Sequence, residues 1–320
     1  MLNLRSALFG LLGGIIFTGS LNAQTIEQVN DKFRQLNEYL PTSNVYRTAS
    51  GAPGHEYWQQ QADYKIDITL DDAKQTLTGS ATITYHNNSP DALKYIWLQM
   101  DQNRFEPQSM DQASRTTPKS SKGMTMERFR KHVDEQTFDG GYKVTALKDS
   151  GGASLDSVTV GTLMRVDLET PLQAGQMTEI SIDWWYNIPN AKKFKLSRQG
   201  YEYFPRDHNM IYEIAQWYPR VTAYSDYEGW HNKEYQGSGE FTLEFGDYDV
   251  SITVPADHIV ASTGELQNDA EVLTQAQRDR MIEARTASVP MFIVTPEEAV
   301  ENEKTRSEET KTWHYKAENV

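Results

Sequence analysis

The chain has 320 residues, 38% of them hydrophobic, and carries a net charge of −14 at pH 7. This length can bury a sizeable core, as one large domain or two smaller ones. The acidic balance argues against nucleic acid and against an anionic membrane surface as partners. Because the chain contains no cysteine, disulfides and thiolate metal sites are excluded.

The first 23 residues have the pattern of a cleavable secretory signal. Residues 1–5 include the positive Arg5, residues 8–17 are apolar, and residues 20–23 end in the small Ala23. An apolar core of about ten residues is short for a membrane span. We therefore predict an exported protein, periplasmic or secreted, without membrane attachment after cleavage. The alternative is an uncleaved anchor.

Residues 24–60 are predicted to form a helical lead-in to the main domain. Thr25 and Gln28 fit a capping box, and Pro41 ends the helical pattern. One apolar face recurs at three- and four-residue spacing: Ile26, Val29, Phe33, Leu36 and Leu40. We expect this helix to pack on the outside of the domain.

Residues 61–320 change to a period of two, which is typical of half-buried strands. Three predicted strands between residues 62 and 100, joined by short polar turns, indicate an antiparallel meander. Residues 106–141 break this rhythm, and we predict a solvated insertion with a short helix over residues 124–132. Further strands are predicted at residues 142–147, 157–160, 163–168, 177–187, 241–245, 250–254, 289–294 and 311–316.

The resulting fold class is all-β, a large antiparallel saddle-like β-sandwich of about 12–15 strands. A short N-terminal helix and one late helix, over residues 271–285, complete the prediction. Thr274 and Gln277 fit a cap for the regular part of the late helix.

Residues 203–231 concentrate aromatic side chains, acids and two Pro-Arg turns in under thirty residues. A loop that keeps large aromatic residues usually builds a wall against a ligand. The simpler interpretation is that these rings close the end of a β-sandwich, since aromatic residues are more often found in a core.

Four motifs in this order resemble the N-terminal β domain of zinc aminopeptidases of the aminopeptidase N family. The first three are residues 57–64, 82–90 and 95–103. The fourth is Glu213-x-x-Gln216-Trp217-Tyr218-Pro219, followed by Asp226 and Gly229-Trp230. The resemblance covers about residues 45–320, and it implies the all-β fold that the alternation also predicts.

The resemblance implies a zinc enzyme that removes N-terminal residues from peptides. The family binds zinc through His-Glu-x-x-His and a later Glu, whereas the closest of the seven histidines here, His208 and His231, are 23 residues apart. We therefore expect this chain to hold no catalytic residue, no metal ligand and no cofactor, and to be inactive alone. The zinc is expected in a catalytic domain after residue 320. The implied partners are peptide N-termini and that C-terminal catalytic domain.

In the family, one loop of this domain helps to hold the free α-amino group of the substrate. The resemblance places this role on Gln216 first and on Glu213 second. The spacing before Pro219 differs from that of better-known members, which leaves the choice open. Trp217, Tyr218 and Trp230 fit two roles, the wall of a pocket for the first substrate side chain or a place in the core, and the core is the favoured role for each.

Two other functions fit the same residues. The first is a non-enzymatic β-sandwich module that binds peptide or carbohydrate through the aromatic residues at 201–231. The second is a structural domain whose aromatic residues lie only in the core. A His-Glu-x-x-His motif within about 100 residues after Val320 favours the peptidase, and a natural stop codon favours the binding module.

Overall fold

The computed structural model describes residues 43–114, 123–239, 241–304 and 306–320. The predicted signal at residues 1–23 and the predicted helix at residues 25–40 lie outside this part of the chain. Strands account for 39% and helices for 17% of the structure, which confirms the all-β fold class. No helix in the described residues is long and apolar enough to cross a membrane.

The first two strands form the hairpin from which the larger sheet is built. β1 (Gln61–Asp71) and β2 (Thr76–His86) pair antiparallel over their whole length. Their side chains alternate between buried and more exposed positions, as the sequence pattern predicts. The hairpin therefore presents one apolar face to the core, and Ile66 and Ile83 are fully buried on it.

The described residues contain fifteen strands in all, which agrees with the predicted 12–15, and thirteen of them follow the hairpin. They are β3 (Leu93–Gln99), β4 (Lys143–Asp149), β5 (Ser157–Val160), β6 (Leu163–Leu172), β7 (Met177–Asn187), β8 (Gln199–Phe204), β9 (Asn209–Ile214), β10 (Arg220–Val221), β11 (Tyr224–Ser225), β12 (Gly229–Trp230), β13 (Tyr248–Pro255), β14 (Glu265–Leu266) and β15 (Thr310–Ala317).

The strands form one large sheet, a smaller sheet and two short ribbons. The seven-stranded sheet has the order β14-β15-β13-β1-β2-β7-β4, and the four-stranded sheet has the order β10-β3-β6-β5. The ribbons are β11-β12 and β8-β9. Residues from both larger sheets share one hydrophobic core, including Ile66 and Ile182 of the large sheet and Ile96 and Val166 of the small one.

Two details of the pairing differ from the predicted antiparallel meander. β1 and β13 run parallel, with Ile66 opposite Val250. β3 does not continue the β1-β2 hairpin, because β7 takes the free edge of β2 and β3 belongs to the smaller sheet. The chain changes sheet at Asn87, whose fully buried side chain bonds to residues on both sides of the turn.

The short helix predicted over residues 124–132 is present at Met126–Thr137, and the described residues contain further helices besides it and the late one. The helix predicted over residues 271–285 divides at Leu273 into two, and the second begins with the predicted capping box of Thr274 and Gln277. The helices are Met110–Ser114, Met126–Thr137, Ala191–Phe194, Asp269–Val272, Gln275–Ala284 and Pro296–Asn302, with a 3₁₀ helix at Asp101–Phe105.

Two predicted strands are absent from the described structure. Residues 289–294 form no strand, and Pro290 among them has no N–H to donate to a ladder. Residues 241–245 make only isolated bridges, from Leu243 to Thr222 and from Phe245 to Gln61. Alternation of apolar residues therefore did not suffice to predict a strand at these two segments, because a strand also needs a neighbouring strand to pair with.

Candidate functional site

The hairpin of β8 and β9 sets the position of the predicted substrate-binding residues. Gln199 pairs with Ile214 at the open end of this hairpin, and Gly200 pairs with Glu213. The chain then leaves the hairpin through Ala215 and reaches β10 at Arg220. Gln216 consequently lies beside Gln199, although the two are far apart in sequence.

The backbone of Gln216 is held in a left-handed conformation. Its φ angle is +50°, which is uncommon for a residue with a side chain. Its carbonyl oxygen accepts hydrogen bonds from Gln102 Nε2 at 2.9 Å and from the Tyr142 hydroxyl at 3.1 Å. These two donors belong to separate segments of the chain, so the tertiary structure fixes the strained turn.

The side chain of Gln216 is half-buried and already part of a hydrogen-bond cluster. Its Oε1 accepts a hydrogen bond from Gln199 Nε2, and the Tyr235 hydroxyl lies 3.5 Å away. Gln199 Nε2 also lies 3.3 Å from the carbonyl of Ala215. A carbonyl oxygen has two lone pairs. Both lone pairs of Oε1 are thus engaged, and a substrate donor would take the place of the long bond from Tyr235 while the bond to Gln199 is kept.

Glu213 is placed differently from Gln216. It lies on β9 with an exposed side chain. Within the part of the chain that the structure describes, this carboxylate makes no hydrogen bond or ion pair, and none joins it to Gln216. Glu213 is therefore a free surface carboxylate, whereas Gln216 belongs to a prearranged polar cluster.

Trp217 and Tyr218 are in contact with each other, their ring centres 4.6 Å apart, but face different surroundings. Trp217 is half-buried and lines a cavity on the inner side of the β8-β9 hairpin. The Tyr218 hydroxyl donates to that of Tyr248 at 3.1 Å, and the Tyr218 ring packs edge-on against Tyr64 at 5.4 Å. Tyr218 is thus mainly a core residue, and Trp230, in contact with Tyr224, is another.

A buried ion pair supports the start of β10. Both Arg220 Nε, at 3.0 Å, and Arg220 Nη2 donate to Asp101 Oδ2, and the Asp101 side chain is fully buried. Burial raises the pKa of Asp101, although the positive charge of Arg220 opposes the shift. The acid that pairs with Arg220 is therefore distant in sequence.

The residues that surround Gln216 were not predicted as part of the site. Gln102 lies in the motif at residues 95–103, yet the sequence offers no reason to connect it with residue 216. Tyr142 and Gln199 stand alone in their segments. Their common position arises only from the packing of the smaller sheet, the insertion and the hairpin.

The histidines are dispersed over the structure, each with its own neighbours. His86 lies 2.9 Å from Asp63, His314 lies 2.6 Å from Asp249, and His231 lies 2.8 Å from the Ser225 hydroxyl. Within the described ranges, no group of three or more His, Cys, Asp or Glu side chains is placed to hold a metal ion. The absence of a zinc ligand from the whole chain stays a prediction.

Comparison with known proteins gave matches only among solved structures. No protein-family model and no curated protein matches the chain. An M1 zinc metallopeptidase from Deinococcus radiodurans is 13% identical over 81% of this chain and 39% of that chain, with a TM-score of 0.37. A variant of it bound to a Tyr-Ser-Ala substrate gives 14% identity, the same coverage and the same TM-score.

A two-domain M1 zinc metallopeptidase bound to L-tryptophan gives a similar result. It is 14% identical over 83% of this chain and 41% of that chain, again with a TM-score of 0.37. The chain thus spans about two fifths of the length of the solved structures it matches. Each of these three solved structures is an M1 zinc metallopeptidase.

Proposed function

We propose that this chain is the N-terminal substrate-docking domain of an exported zinc aminopeptidase. The observation that carries the proposal is the fixed presentation of Gln216 within the motif that resembles the aminopeptidase family. Its carbonyl is held by Gln102 and Tyr142, and its side-chain oxygen is held by Gln199. This arrangement supports the interpretation that the loop holds the side-chain oxygen of Gln216 in position to accept a hydrogen bond from a ligand.

The chemistry of the substrate suits this acceptor. A peptide N-terminus is an ammonium with three donors, which requires oxygen acceptors in fixed positions. Oε1 of Gln216 would accept one of these donors in place of the long bond from the Tyr235 hydroxyl. Because Gln199 already orients the amide, little side-chain freedom is lost when the substrate binds.

The remaining parts of the reaction belong to the proposed catalytic domain. A zinc ion bound there would supply an activated water for attack on the peptide carbonyl. The residues of this chain would orient the substrate through its amino group. Recognition of that group restricts the reaction to N-terminal residues, because internal peptide bonds have no ammonium nearby.

The proposal is tested by Gln216→Ala in the protein with its catalytic domain. Gln and Ala carry the same left-handed backbone penalty, so this change isolates the loss of the side chain. A charge-assisted hydrogen bond is worth about 1.5–3 kcal/mol. We expect kcat/KM for aminoacyl-anilides to fall roughly ten- to a hundred-fold, with the melting temperature nearly unchanged.

Glu213→Ala is the matched control, since Glu213 is exposed and only three residues away. It should leave kcat/KM within about twofold if Gln216 holds the amino group. A large loss with Glu213→Ala and none with Gln216→Ala would transfer the role to Glu213. If both variants keep full turnover, the loop does not bind substrate and the docking function is wrong.

A further inference from the structure

A cavity of about 600 Å³ lies between the large sheet and the β8-β9 hairpin. Its third wall is the segment of residues 257–263, and residues near 299–306 complete the rim. Cavities of roughly 300–1,000 Å³ are the size that holds small molecules in proteins. It lies apart from the hydrogen-bond cluster of Gln216, and only Trp217 of the predicted site residues lines it.

The floor of this cavity is apolar. It is formed by side chains on the inner face of three adjacent strands: Ile68, Leu70, Leu77, Ile252 and Val254. Tyr212 and Trp217 add aromatic walls. Such a surface gains free energy when a ligand displaces water from it, at about 25 cal/mol per Å² of apolar area.

One hydrogen-bonding group stands at the edge of this apolar floor. His258 Nδ1 lies 3.0 Å from Asp257 Oδ1, and both side chains are about 15% exposed. Asp257 Oδ2 in turn accepts a hydrogen bond from the backbone N–H of Ser307 at 3.0 Å. Both oxygens of the carboxylate are thus engaged, and the imidazole is held in one orientation.

This orientation decides what His258 offers to a ligand. A carboxylate only accepts hydrogen bonds, so Nδ1 must carry the hydrogen. In the neutral imidazole, Nε2 is then an acceptor. Among the described residues Nε2 has no hydrogen-bond partner. A ligand that reaches it must therefore carry a donor at its polar end.

The charges and rings around the cavity favour a cationic donor. Asp257 and Glu303 line it, and Arg306, which is the one arginine among its described lining residues, is already paired with Asp72 at 3.1 Å. The ring of Tyr212 lies 5.9 Å from that of His258. Aromatic faces attract ammonium groups, and desolvation strengthens this attraction.

We propose that this cavity binds a small apolar molecule whose polar end is a hydrogen-bond donor, an ammonium in preference to a hydroxyl. The apolar body lies on Ile68, Ile252 and Val254, and the donor meets Nε2 of His258. The site does not depend on the peptidase assignment, because neither zinc nor Gln216 takes part in it.

Three probes with one apolar body test the proposal in the complete protein. They are 1-naphthylmethylammonium, 1-naphthylmethanol and 1-naphthoate, titrated calorimetrically at mildly alkaline pH, where free imidazole is neutral. We expect saturable one-to-one binding in the order ammonium, alcohol, carboxylate. The carboxylate should bind at least about tenfold more weakly than the ammonium, since it offers no donor to Nε2.

Two variants locate the binding. Ile252→Phe adds volume to the cavity floor and should weaken all three probes at least about tenfold. Ser251→Phe is its matched control, since it adds the same ring on the opposite face of β13 and should leave the affinities unchanged. His258→Phe should remove the preference for donors while keeping the apolar contact. Thermal melting of each variant verifies folding.

Three results would overturn the proposal. One is the absence of saturable binding by a folded protein. Another is binding that Ile252→Phe leaves unchanged, which would place the probes elsewhere on the surface. The third is a preference for 1-naphthoate, or a preference for donors that survives His258→Phe. Loss of turnover in Gln216→Ala bears on none of these results, so the two proposals fail separately.

Discussion

Glu244 is the side chain whose protonation should couple most visibly to folding. Its Oε1 accepts the backbone N–H of Tyr224 at 2.7 Å, and burial raises its pKa from the ordinary value of 4.5 to about 7. The folded protein therefore holds this proton more tightly than the unfolded chain does. The resulting contribution to stability is complete below about pH 4.5 and is lost as the pH rises through about 7.

Replacement of Glu244 by Gln should remove this dependence. At each pH, we compare the free energy of unfolding of Glu244→Gln with that of the parent protein. We expect this difference to shift in favour of the variant by up to about 3 kcal/mol as the pH rises from 5 to 8. Urea denaturation at several pH values measures the difference. The control is Glu202→Gln on the exposed face of β8, which should follow the parent at every pH. Parallel curves for Glu244→Gln and the parent would contradict the raised pKa.

At the scale of single residues, the sequence offers a candidate side chain but not the residues that surround it. Gln216 was selected from a motif, yet Gln102, Tyr142 and Gln199 hold it, and each comes from a distant segment. A motif records neighbours along the chain. Contacts that depend on the packing of separate elements leave no such local pattern.

At the scale of elements, the centre of β2 depends on the absence of a side chain. A Cβ atom on Gly79 would lie 2.4 Å from the six-membered ring of Trp184, on the adjacent strand β7. Trp184 is almost fully buried, so its ring has no free direction in which to move. The glycine therefore makes room for one of the buried tryptophans of the core.

Gly79→Ala should accordingly destabilise the protein. This is the opposite of the usual effect, because glycine in the interior of a strand normally weakens it. We expect a loss of about 1–3 kcal/mol, the usual cost of overpacking, by chemical denaturation. Thr78→Ala, at the next position on the exposed face, should cost much less. If Trp184→Phe does not reduce the cost of Gly79→Ala, the clash with the indole ring is not the cause.

The accuracy of the predicted elements also has a physical explanation. β1, β2, β7 and β15 were predicted because each buries one face, which gives a strict period of two. Residues 289–294 have a similar composition but no partner strand in the described structure. Pairing is a property of two segments, so one segment alone cannot reveal it, and the parallel β1-β13 pair was missed for the same reason.

At the scale of the whole molecule, Asn87 joins the two larger sheets. Its Nδ2 donates to the carbonyls of Asp91 at 2.7 Å and Leu172 at 3.0 Å. Its Oδ1 accepts from Gln60 Nε2 at 3.0 Å and from the Ser89 hydroxyl at 2.6 Å. A single buried amide thus fixes the turn through which the chain leaves the large sheet for β3.

Asn87→Asp tests this turn sharply, because it keeps the shape, removes both donors and adds a negative charge at a buried position. The new oxygen would face two carbonyl oxygens, so we expect a loss of about 3 kcal/mol or more in the free energy of unfolding. Asn88→Asp is the matched control, since Asn88 makes one exposed bond to the carbonyl of Gln59. Equal losses in the two variants would show that the buried network has no special role.

The parallel pairing of β1 with β13 also has a consequence during synthesis. The β1-β2 hairpin can close soon after it leaves the ribosome, but the other edge of β1 waits for Tyr248–Pro255. Those residues follow roughly 180 positions later, which takes on the order of 10–40 s at usual translation speeds. Until then, the backbone N–H and C=O groups along this edge of β1 are unpaired and can bond to strands of other chains. We therefore expect the nascent chain to aggregate less when a chaperone binds it until the β13 residues have been synthesised.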